Sequence, residues 1–340
     1  MAHTIVNIPD NTVPVVFATD TAYVPYAGVA LESLIRHANP KRRYAVFILH
    51  TDLSRRSQKR LEALSAPHVS VKCLNIQPYL PKHRHLYNQS HYSSVMFYRF
   101  WIPRIFSSCQ RVIYLDTDIL IRHDIGDLYD VPLGDFVIGG CVKLLRQSFR
   151  AYCTKTLKLN PDTYVNSGVL VFHVPMWNRY HLTNRAVRLI GTKHTWIAPD
   201  QDILNKLCQN RILPLDPRWN QMATVLPQHR DRFAAGACEA EIALAPRAYI
   251  YHYVSARKPW LSVRTAADEA WHQAAQHSRF AADIQRACDK RQDKLYHDII
   301  AYLQAGLRLC WTWGTARRSL KAKISRLGAD IQARRFLSDI

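Results

Sequence analysis

The chain has 340 residues, with 46 Lys and Arg against 26 Asp and Glu and a formal net charge of +20. This length indicates one large domain with an appendage, and the charge favours an anionic partner: a nucleic acid, a phosphorylated substrate or an anionic membrane surface. The sequence has no apolar run of about 18 residues, no secretory signal and no CxxC pair among its eight cysteines, so we exclude a membrane-spanning or disulfide-framework protein and expect reduced thiols in the cytoplasm.

The first half of the sequence alternates strand and helix patterns. Apolar and β-branched runs predict strands at 13–19, 44–49, 69–76 and 111–116. Helices are predicted at 26–38, from Ser54 to near Pro67, and around 95–106. This alternation is typical of a mostly parallel, Rossmann-like α/β sheet with helices on both faces.

Two carboxylates follow the strand at 111–116. Asp116 and Asp118 are two residues apart, so both side chains point to the same side of an extended chain. They lie at the carboxyl end of the strand, where open α/β sheets bind ligands. A hard divalent cation would relieve the repulsion between them. The alternative is a turn in which one Asp caps the next segment and the other is solvated, and this stretch alone leaves both interpretations open.

The second half of the sequence is less regular. Strands are predicted at 136–142, 164–174 and 247–254, and a helix at 199–208. Beyond Trp260 strand patterns give way to helical ones rich in Arg and Lys. We therefore predict a first domain at 13–270 and a basic helical region at 271–340.

The stretch at 316–335 predicts an amphipathic helix. Its apolar residues recur at helical spacing, its other face is basic, and Trp311 and Trp313 lie just upstream. Such a helix is typical of an in-plane membrane anchor, and anionic lipid attracts each basic residue by about 1 kcal/mol. The alternative is a helix that packs on the first domain with its basic face in solvent. The apolar residues are Leu320, Ile324, Leu327 and Ile331.

Other polar residues are candidates for a metal and phosphate site. His252 and Lys258 lie near the end of the last predicted strand, where histidine can complete a site begun by two Asp and lysine can neutralise phosphate. Taken alone, a histidine such as His252 is more often an ordinary core or surface residue than a ligand. Arg99, in FYRFWIP, is either a surface charge or a fork that grips phosphate or carboxylate.

Two further stretches carry polar residues beside apolar ones. Asn166, Ser167 and Gly168 lie inside the strand YVNSGVLVFHV, where a glycine often marks the close approach of backbone or ligand. The stretch PDQDILNKL at 199–207 has ordinary helix N-terminal chemistry, with Pro199 followed by acidic residues.

Taken together, FATDTAY, FYRF, VIYLDTD, YVNSGVLVFHV, PDQDILN and HYVSARKPW occur in the order and rough spacing of the family-eight glycosyltransferases. The chain resembles this family over about residues 13–262, and most of all its bacterial lipopolysaccharide and lipooligosaccharide galactosyl- and glucosyltransferase branch. The resemblance implies a GT-A fold and a retaining transfer of galactose or glucose from a UDP-sugar to a lipopolysaccharide or lipooligosaccharide core. It also implies Mn²⁺, with Mg²⁺ as a substitute, and peripheral attachment to the cytoplasmic face of the inner membrane through the tail.

The resemblance also assigns roles residue by residue. Asp116, Asp118 and His252 match the metal ligands. Asp200 and Gln201 match the catalytic pair that faces the reactive carbon of the sugar, and His91 matches a loop on the acceptor side. The remaining donor-binding matches are Ala18, Asp20 and Tyr23 at the uridine, Lys258 at the diphosphate, and Arg99, Thr117, Asn166, Ser167 and Ser255. Ala22 and Ser255 depart from the Asn and Gly of close relatives.

Retention is expected through front-face attack, because Gln201 is a weak nucleophile for a covalent intermediate. Two other functions stay open: a metal-dependent nucleotide-sugar hydrolase or phosphodiesterase, and a non-catalytic binder of anionic membranes. Nucleic acid is not expected as a partner, because the aromatic residues do not interleave with basic ones and no recognition motif is present.

Overall fold

The computed structural model describes residues 6–81, 94–192, 194, 196–254 and 258–290. The chain divides into two compact units, Met1–Ala281 and Ala282–Ile340, and every element below lies in the first. The strands are β1 Thr12–Ala18, β2 Arg43–His50, β3 Val69–Asn75, β4 Arg111–Leu115, β5 Ile119–Ile121, β6 Ile138–Val142, β7 Val165–His173, β8 Ile212–Pro214, β9 Gln221–Met222 and β10 Ile250–His252.

The helices surround these strands in chain order. They are α1 Val24–His37, α2 Arg55–Glu62, α3 Ile102–Ile105, α4 Gly126–Tyr129, α5 Gln147–Tyr152, α6 Val174–Arg179, α7 Leu182–Ile190, α8 Pro199–Leu207, α9 Ala237–Leu244 and α10 Ala266–Gln276. None of the helices in the described ranges is both long enough and apolar enough to span a bilayer. The predicted tail helix at 316–335 lies outside the described residues, and the predicted division near residue 270 stays a prediction.

The main sheet has seven strands in the order β3-β2-β1-β4-β7-β6-β8. Strands β3, β2, β1 and β4 are parallel, β7 is antiparallel to both β4 and β6, and β8 is parallel to β6. The runs in β1 and β4 are almost wholly buried, as expected for parallel strands covered on both faces. The predicted mixed α/β sheet is therefore confirmed.

Most predicted elements are present, with shifted ends. Ser54 caps α2 as predicted, since its hydroxyl accepts a hydrogen bond from the Ser57 amide at 3.1 Å, but the helix ends at Glu62 rather than near Pro67. The helix predicted at 95–106 forms instead a 3₁₀ helix, Ser94–Trp101, followed by the single turn of α3. Its aromatic side chains, such as Trp101, are buried in the core, so tertiary packing shapes this segment more than local propensity does.

A second, three-stranded sheet in the order β5-β10-β9 lies beside the end of β4. β10 runs antiparallel to β5, which places His252 opposite Ile119, and parallel to β9. The Tyr253 amide also donates to the Asp118 carbonyl at 2.9 Å. This small sheet therefore brings the last predicted strand back to the Asp116–Asp118 stretch, across more than 130 residues of chain.

Candidate active site

Three side chains that suit a metal converge where β4 ends and the small sheet begins. Each of Asp116, Asp118 and His252 offers one ligand atom, and these atoms lie within 4.8 Å of one another. His252 Nε2 is 3.3 Å from Asp118 Oδ1 and 3.7 Å from Asp116 Oδ2. The Asp116 and Asp118 side chains stay 25% and 16% exposed, so an ion can reach them. Two carboxylates and an imidazole suit a divalent cation such as Mn²⁺.

Gly168 leaves room for this cluster. The Asp116 amide donates to the Gly168 carbonyl at 2.8 Å, which continues the pairing of β4 with β7. A Cβ atom added at Gly168 would lie 2.2 Å from His252 Cε1 and 2.6 Å from Asp116 Oδ2. Any larger residue would therefore displace the ligands, and the close approach predicted for this glycine is present.

Asn220 orients the His252 ring. His252 Nδ1 is 2.7 Å from Asn220 Oδ1, while Asn220 Nδ2 donates to Asn166 Oδ1 at 2.9 Å. Asn166 Oδ1 also accepts from the Gly168 amide at 2.8 Å. Because an amide oxygen can only accept, Nδ1 is the donor in the contact with Asn220, and Nε2 is the ring atom that faces the two carboxylates, as in metal-binding histidines.

Lys258 neutralises the second carboxylate. Its ammonium group donates to Asp118 Oδ2 at 2.5 Å and to the Tyr253 carbonyl at 2.7 Å. Burial would raise the pKa of Asp118, but Lys258 and His252 together hold that pKa well below its usual range. Asp118 is therefore an anion at neutral pH, and its counterion sits at the edge of the cluster.

Arg99 joins the metal cluster to the start of α8. Its guanidinium, 3% exposed, lies 3.0 Å from Asp116 Oδ1 and 3.2 Å from Asp200 Oδ2, and it donates to the Ser167 carbonyl. Burial would lower the pKa of Arg99, but Asp116, Tyr114 and Asp200 raise it above the ordinary value. The Arg99 fork is thus engaged with protein groups, while its predicted contact with the donor stays a prediction.

Gln201 lies at the centre of a hydrogen-bond network. Its side chain is buried, and Oε1 accepts from Asn166 Nδ2 at 3.1 Å, Lys143 Nζ at 3.3 Å and the Ser167 amide at 3.4 Å. Gln201 Nε2 donates to the Tyr164 hydroxyl at 3.1 Å. Four partners therefore fix this amide in one orientation.

Asp202 is connected to this network through the Tyr164 hydroxyl. The Tyr164 hydroxyl donates to Asp202 Oδ1 at 2.5 Å, and the Tyr152 hydroxyl donates to Oδ2 at 2.9 Å. The amides of Ile197 and Ala198 donate to the same carboxylate at 3.1 and 3.0 Å. Burial raises the pKa of Asp202, although these hydrogen bonds oppose the rise. Asp202, in the first turn of α8, is thereby held to Tyr164, the residue that precedes β7.

The first strand ends beside the metal cluster, as the predicted nucleoside site requires. Phe17 of β1 pairs with Leu115 of β4, so Ala18 lies next to Asp116. Asp20 Oδ1 then accepts from the Tyr23 amide at 3.1 Å and caps the 3₁₀ turn Thr21–Tyr23.

An aromatic group connects this turn to the Lys258 segment. Tyr26 stacks on Trp260 with ring centroids 3.8 Å apart, and the Tyr23 ring meets Trp260 edge-on at 5.9 Å. Lys258 Nζ lies 6.0 Å from the Trp260 ring. The nucleoside and diphosphate roles of Tyr23 and Lys258 stay predictions, but the fold places both residues against one side chain.

The structure also locates the other predicted residues and adds four that the sequence missed. Thr117 is buried between the two carboxylates, and the Ser167 hydroxyl donates to Asp200 Oδ2 at 2.7 Å. His91 and Ser255 lie outside the described residues. Missed were Lys143, Tyr164, Asp202 and Asn220. Tyr164 and Asp202 lie within the stretches YVNSGVLVFHV and PDQDILN but were not singled out there, and Lys143 and Asn220 have no motif around them.

The match to a known protein family covers nearly the same residues as the resemblance found in the sequence. The sequence model of Glycosyl transferase family 8 matches residues 14–264. General stress protein A of Bacillus subtilis is 23% identical over 261 residues, which cover 74% of this chain and 89% of that protein. A lipopolysaccharide 1,3-galactosyltransferase of Salmonella typhimurium is 24% identical over 258 residues, or 73% of each chain.

A solved structure extends the likeness to the fold. The apo structure of the bifunctional glycosyltransferase WbbM superposes with a TM-score of 0.74 at 24% identity over 84% of this chain. This chain spans about half of that protein, 53% of its length. The predicted GT-A fold is confirmed by this likeness.

Proposed function

The chain belongs to glycosyltransferase family 8, and we propose that it transfers galactose or glucose from a UDP-sugar to a lipopolysaccharide or lipooligosaccharide core with retention of configuration. The observation that carries the proposal is the cluster of Asp116, Asp118 and His252 beside Lys258, at the carboxyl ends of parallel strands. Support for the acceptor class comes from the galactosyltransferase of Salmonella typhimurium.

The cluster fits a divalent cation. Asp116, Asp118 and His252 would hold Mn²⁺, with Mg²⁺ as a substitute, because the Gly168 position leaves space and Asn220 directs His252 Nε2 toward the carboxylates. When bound, this ion would supply positive charge to the diphosphate that leaves the sugar.

Lys258 and Arg99 have different tasks in the proposal. The Lys258 ammonium is half-buried at the edge of the cluster, so it can turn from Asp118 to a diphosphate oxygen and neutralise charge as the glycosidic bond breaks. Arg99 is buried between Asp116 and Asp200, so it positions both carboxylates. A separate protein acid is not needed when the leaving diphosphate is stabilised in this way.

The surroundings of Gln201 support front-face attack over a covalent intermediate. Its Oε1 already accepts three hydrogen bonds, which withdraw electron density from an amide that is a weak nucleophile. Asp200 is engaged by Arg99 and the Ser167 hydroxyl. We therefore assign Gln201 and Asp200 to positioning the sugar, with the departing phosphate oxygen as the base for the acceptor hydroxyl.

Peripheral attachment to the cytoplasmic face of the inner membrane is a separate proposal that rests on the sequence at 316–335. Charge reversal of Lys321, Lys323 and Arg326 to Glu should abolish co-sedimentation of the full chain with phosphatidylglycerol vesicles at low salt. The matched control reverses Lys41, Lys59 and Lys72, which precede the tail. Equal loss in both triple variants would contradict attachment through the tail.

The proposed reaction is tested by UDP release from UDP-galactose and UDP-glucose in the presence of Mn²⁺, each with and without truncated lipopolysaccharide core. We expect release with one donor only, dependent on both the metal and the core. Release that core does not stimulate would identify a nucleotide-sugar hydrolase. Neither binding nor release with either donor would contradict transfer and favour a non-catalytic membrane binder.

A further inference from the structure

Lys143 places a cation directly beside Gln201. It follows the last residue of β6, and its Nζ lies 3.3 Å from Gln201 Oε1. Among the described residues, Gln201 Oε1 is the acceptor for the Lys143 ammonium, and it engages one of the three N–H donors of that group. The residue is partly exposed, and in the described part of the chain the other two donors have no acceptor.

In the described residues, the Lys143 ammonium forms no ion pair with a carboxylate. Burial lowers the pKa of Lys143, while Asp200 and Asp202 raise it. Asp200 is paired with Arg99 and Asp202 accepts from two tyrosine hydroxyls, and within the described ranges neither carboxylate forms an ion pair with the Lys143 ammonium. Arg146 also lowers the pKa of Lys143 by repulsion, so two cations lie on this side of Gln201. Two cations that make no ion pair among the described residues favour an anionic ligand.

Phe149 supplies an apolar surface next to these cations. The Lys143 ammonium lies 6.0 Å from the centre of the Phe149 ring. Edge-on contacts to Tyr152 and Tyr164, at 5.3 and 5.5 Å, hold that ring in place. A fixed aromatic ring beside a charged group is typical of a site that orients a ring-shaped polar ligand.

We propose that Lys143 binds an acidic group of the acceptor, so that the acceptor is a sugar with a carboxylate or a phosphate near the hydroxyl that receives the hexose. The inference rests on the proposed transfer, because only then does the space beside Gln201 hold an acceptor. Lys143 donates to the acidic group, Arg146 adds longer-range attraction, and Phe149 faces the sugar ring. The enzyme would thereby select acceptor sugars that carry this acidic group.

The test measures binding of three methyl glycosides to the full-length protein loaded with Mn²⁺ and UDP, so that the diphosphate site is occupied. Methyl glucoside, methyl glucuronide and methyl glucoside 6-phosphate share a ring and differ at one carbon. They are titrated into wild type, Lys143→Met, Lys143→Arg and the control Lys155→Met, which alters an exposed lysine. Failure of UDP itself to bind would count against the proposed function, and is scored before any glycoside is added.

We expect wild type to bind at least one acidic glycoside about tenfold more tightly than the neutral one, the size of one charged hydrogen bond. Lys143→Met should abolish that preference, and Lys143→Arg and Lys155→Met should keep it. Preference for the glucuronide alone identifies a carboxylate, and preference for the phosphate alone identifies a phosphorylated sugar. No acidic preference in wild type, or an unchanged preference in Lys143→Met, would overturn the proposal.

Discussion

The two ends of the candidate site are built from opposite kinds of interaction. At the metal end, Asp118, His252 and Lys258 are charged or chargeable groups that meet in a partly exposed cleft. At the other end, Gln201 and Tyr164 are neutral and buried, and each polar atom has a partner. Ion pairs at an accessible edge can exchange partners when a charged ligand arrives, whereas a buried amide network cannot move without leaving polar groups unsatisfied.

The two kinds of interaction suit two different tasks. In the proposed reaction, the metal end would trade the Lys258–Asp118 contact for contacts with a cation and a diphosphate, and would carry the changing charge. The Gln201 end would hold its geometry throughout and set where the sugar lies. Arg99 couples the two ends because it contacts both Asp116 and Asp200.

Loss of a metal ligand should have the largest effect. Asp118→Ala, and equally Asp116→Ala, should lower the transfer rate by at least about 10³-fold, which corresponds to about 4 kcal/mol of transition-state stabilisation. UDP release at saturating Mn²⁺ measures it. Asp127→Ala removes an exposed carboxylate that pairs with His123 and should retain activity. Full activity of either ligand variant with added Mn²⁺ would contradict the assignment.

Asn220→Ala tests the orientation of His252 and should have the next largest effect. Without the Asn220 carbonyl, His252 Nδ1 loses its acceptor, and we expect Mn²⁺ to bind about 10–100-fold more weakly. Calorimetric titration of Mn²⁺ measures this change. Asn220→Asp keeps an acceptor oxygen and should recover most of the affinity. An unchanged affinity in Asn220→Ala would show that the ring is held by other contacts.

Tyr164→Phe should damage the neutral end and spare the metal end. The change removes the hydroxyl between Gln201 and Asp202, and we expect a loss of about 1–3 kcal/mol in the free energy of unfolding with a lower kcat. The Mn²⁺ affinity should stay that of wild type. Tyr152→Phe is the matched control, because its hydroxyl contacts Asp202 but not Gln201. A weakened Mn²⁺ affinity in Tyr164→Phe would remove the distinction between the two ends.

The smallest effect concerns the pH dependence of the small sheet. Glu241 Oε1 accepts from the Met222 amide at 2.6 Å, and burial raises the pKa of Glu241 to about 7. The pKa of Glu241 in the folded protein exceeds the unfolded value of about 4.3, so folding favours the protonated carboxyl. The stability that this gives is complete below about pH 4.3 and is lost as pH rises through about 7. Thermal unfolding of Glu241→Gln should therefore depend less on pH than wild type between pH 5 and 8. Parallel curves for the two proteins would contradict the shifted pKa.

Sequence patterns predict the metal end much better than the neutral end. Asp116 and Asp118 follow an apolar run that predicts a buried strand, and their spacing alone places both carboxylates on one side. The position of His252 near the last predicted strand made it only a candidate, and the family resemblance assigned it as a ligand, because only the pairing of β10 with β5 brings it to the cluster. Such non-local pairing leaves no periodic signal near His252 itself.

The residues that support the two ends depend on contacts that no local pattern encodes. Tyr164 opens the stretch YVNSGVLVFHV without any pattern that points to its hydroxyl, Asn220 lies in a turn, and Lys143 is one basic residue among 46. Their roles arise from the packing of α8 against β7 and of the 3₁₀ turn Pro217–Asn220 beside β10. Gly168 is the exception, since a glycine within an apolar strand predicts close approach.

The most direct measurement is the titration of Mn²⁺ into the protein with UDP present, for wild type, Gly168→Ala and Gly140→Ala. A Cβ at Gly168 would collide with His252 and Asp116, whereas one at Gly140 would approach Val165 no closer than 3.2 Å. We predict that wild type and Gly140→Ala bind the ion alike, and that Gly168→Ala binds it at least about 100-fold more weakly, given the sensitivity of metal affinity to ligand placement. Equal binding by wild type and Gly168→Ala, or no binding by wild type, would contradict a metal centre at Asp116, Asp118 and His252.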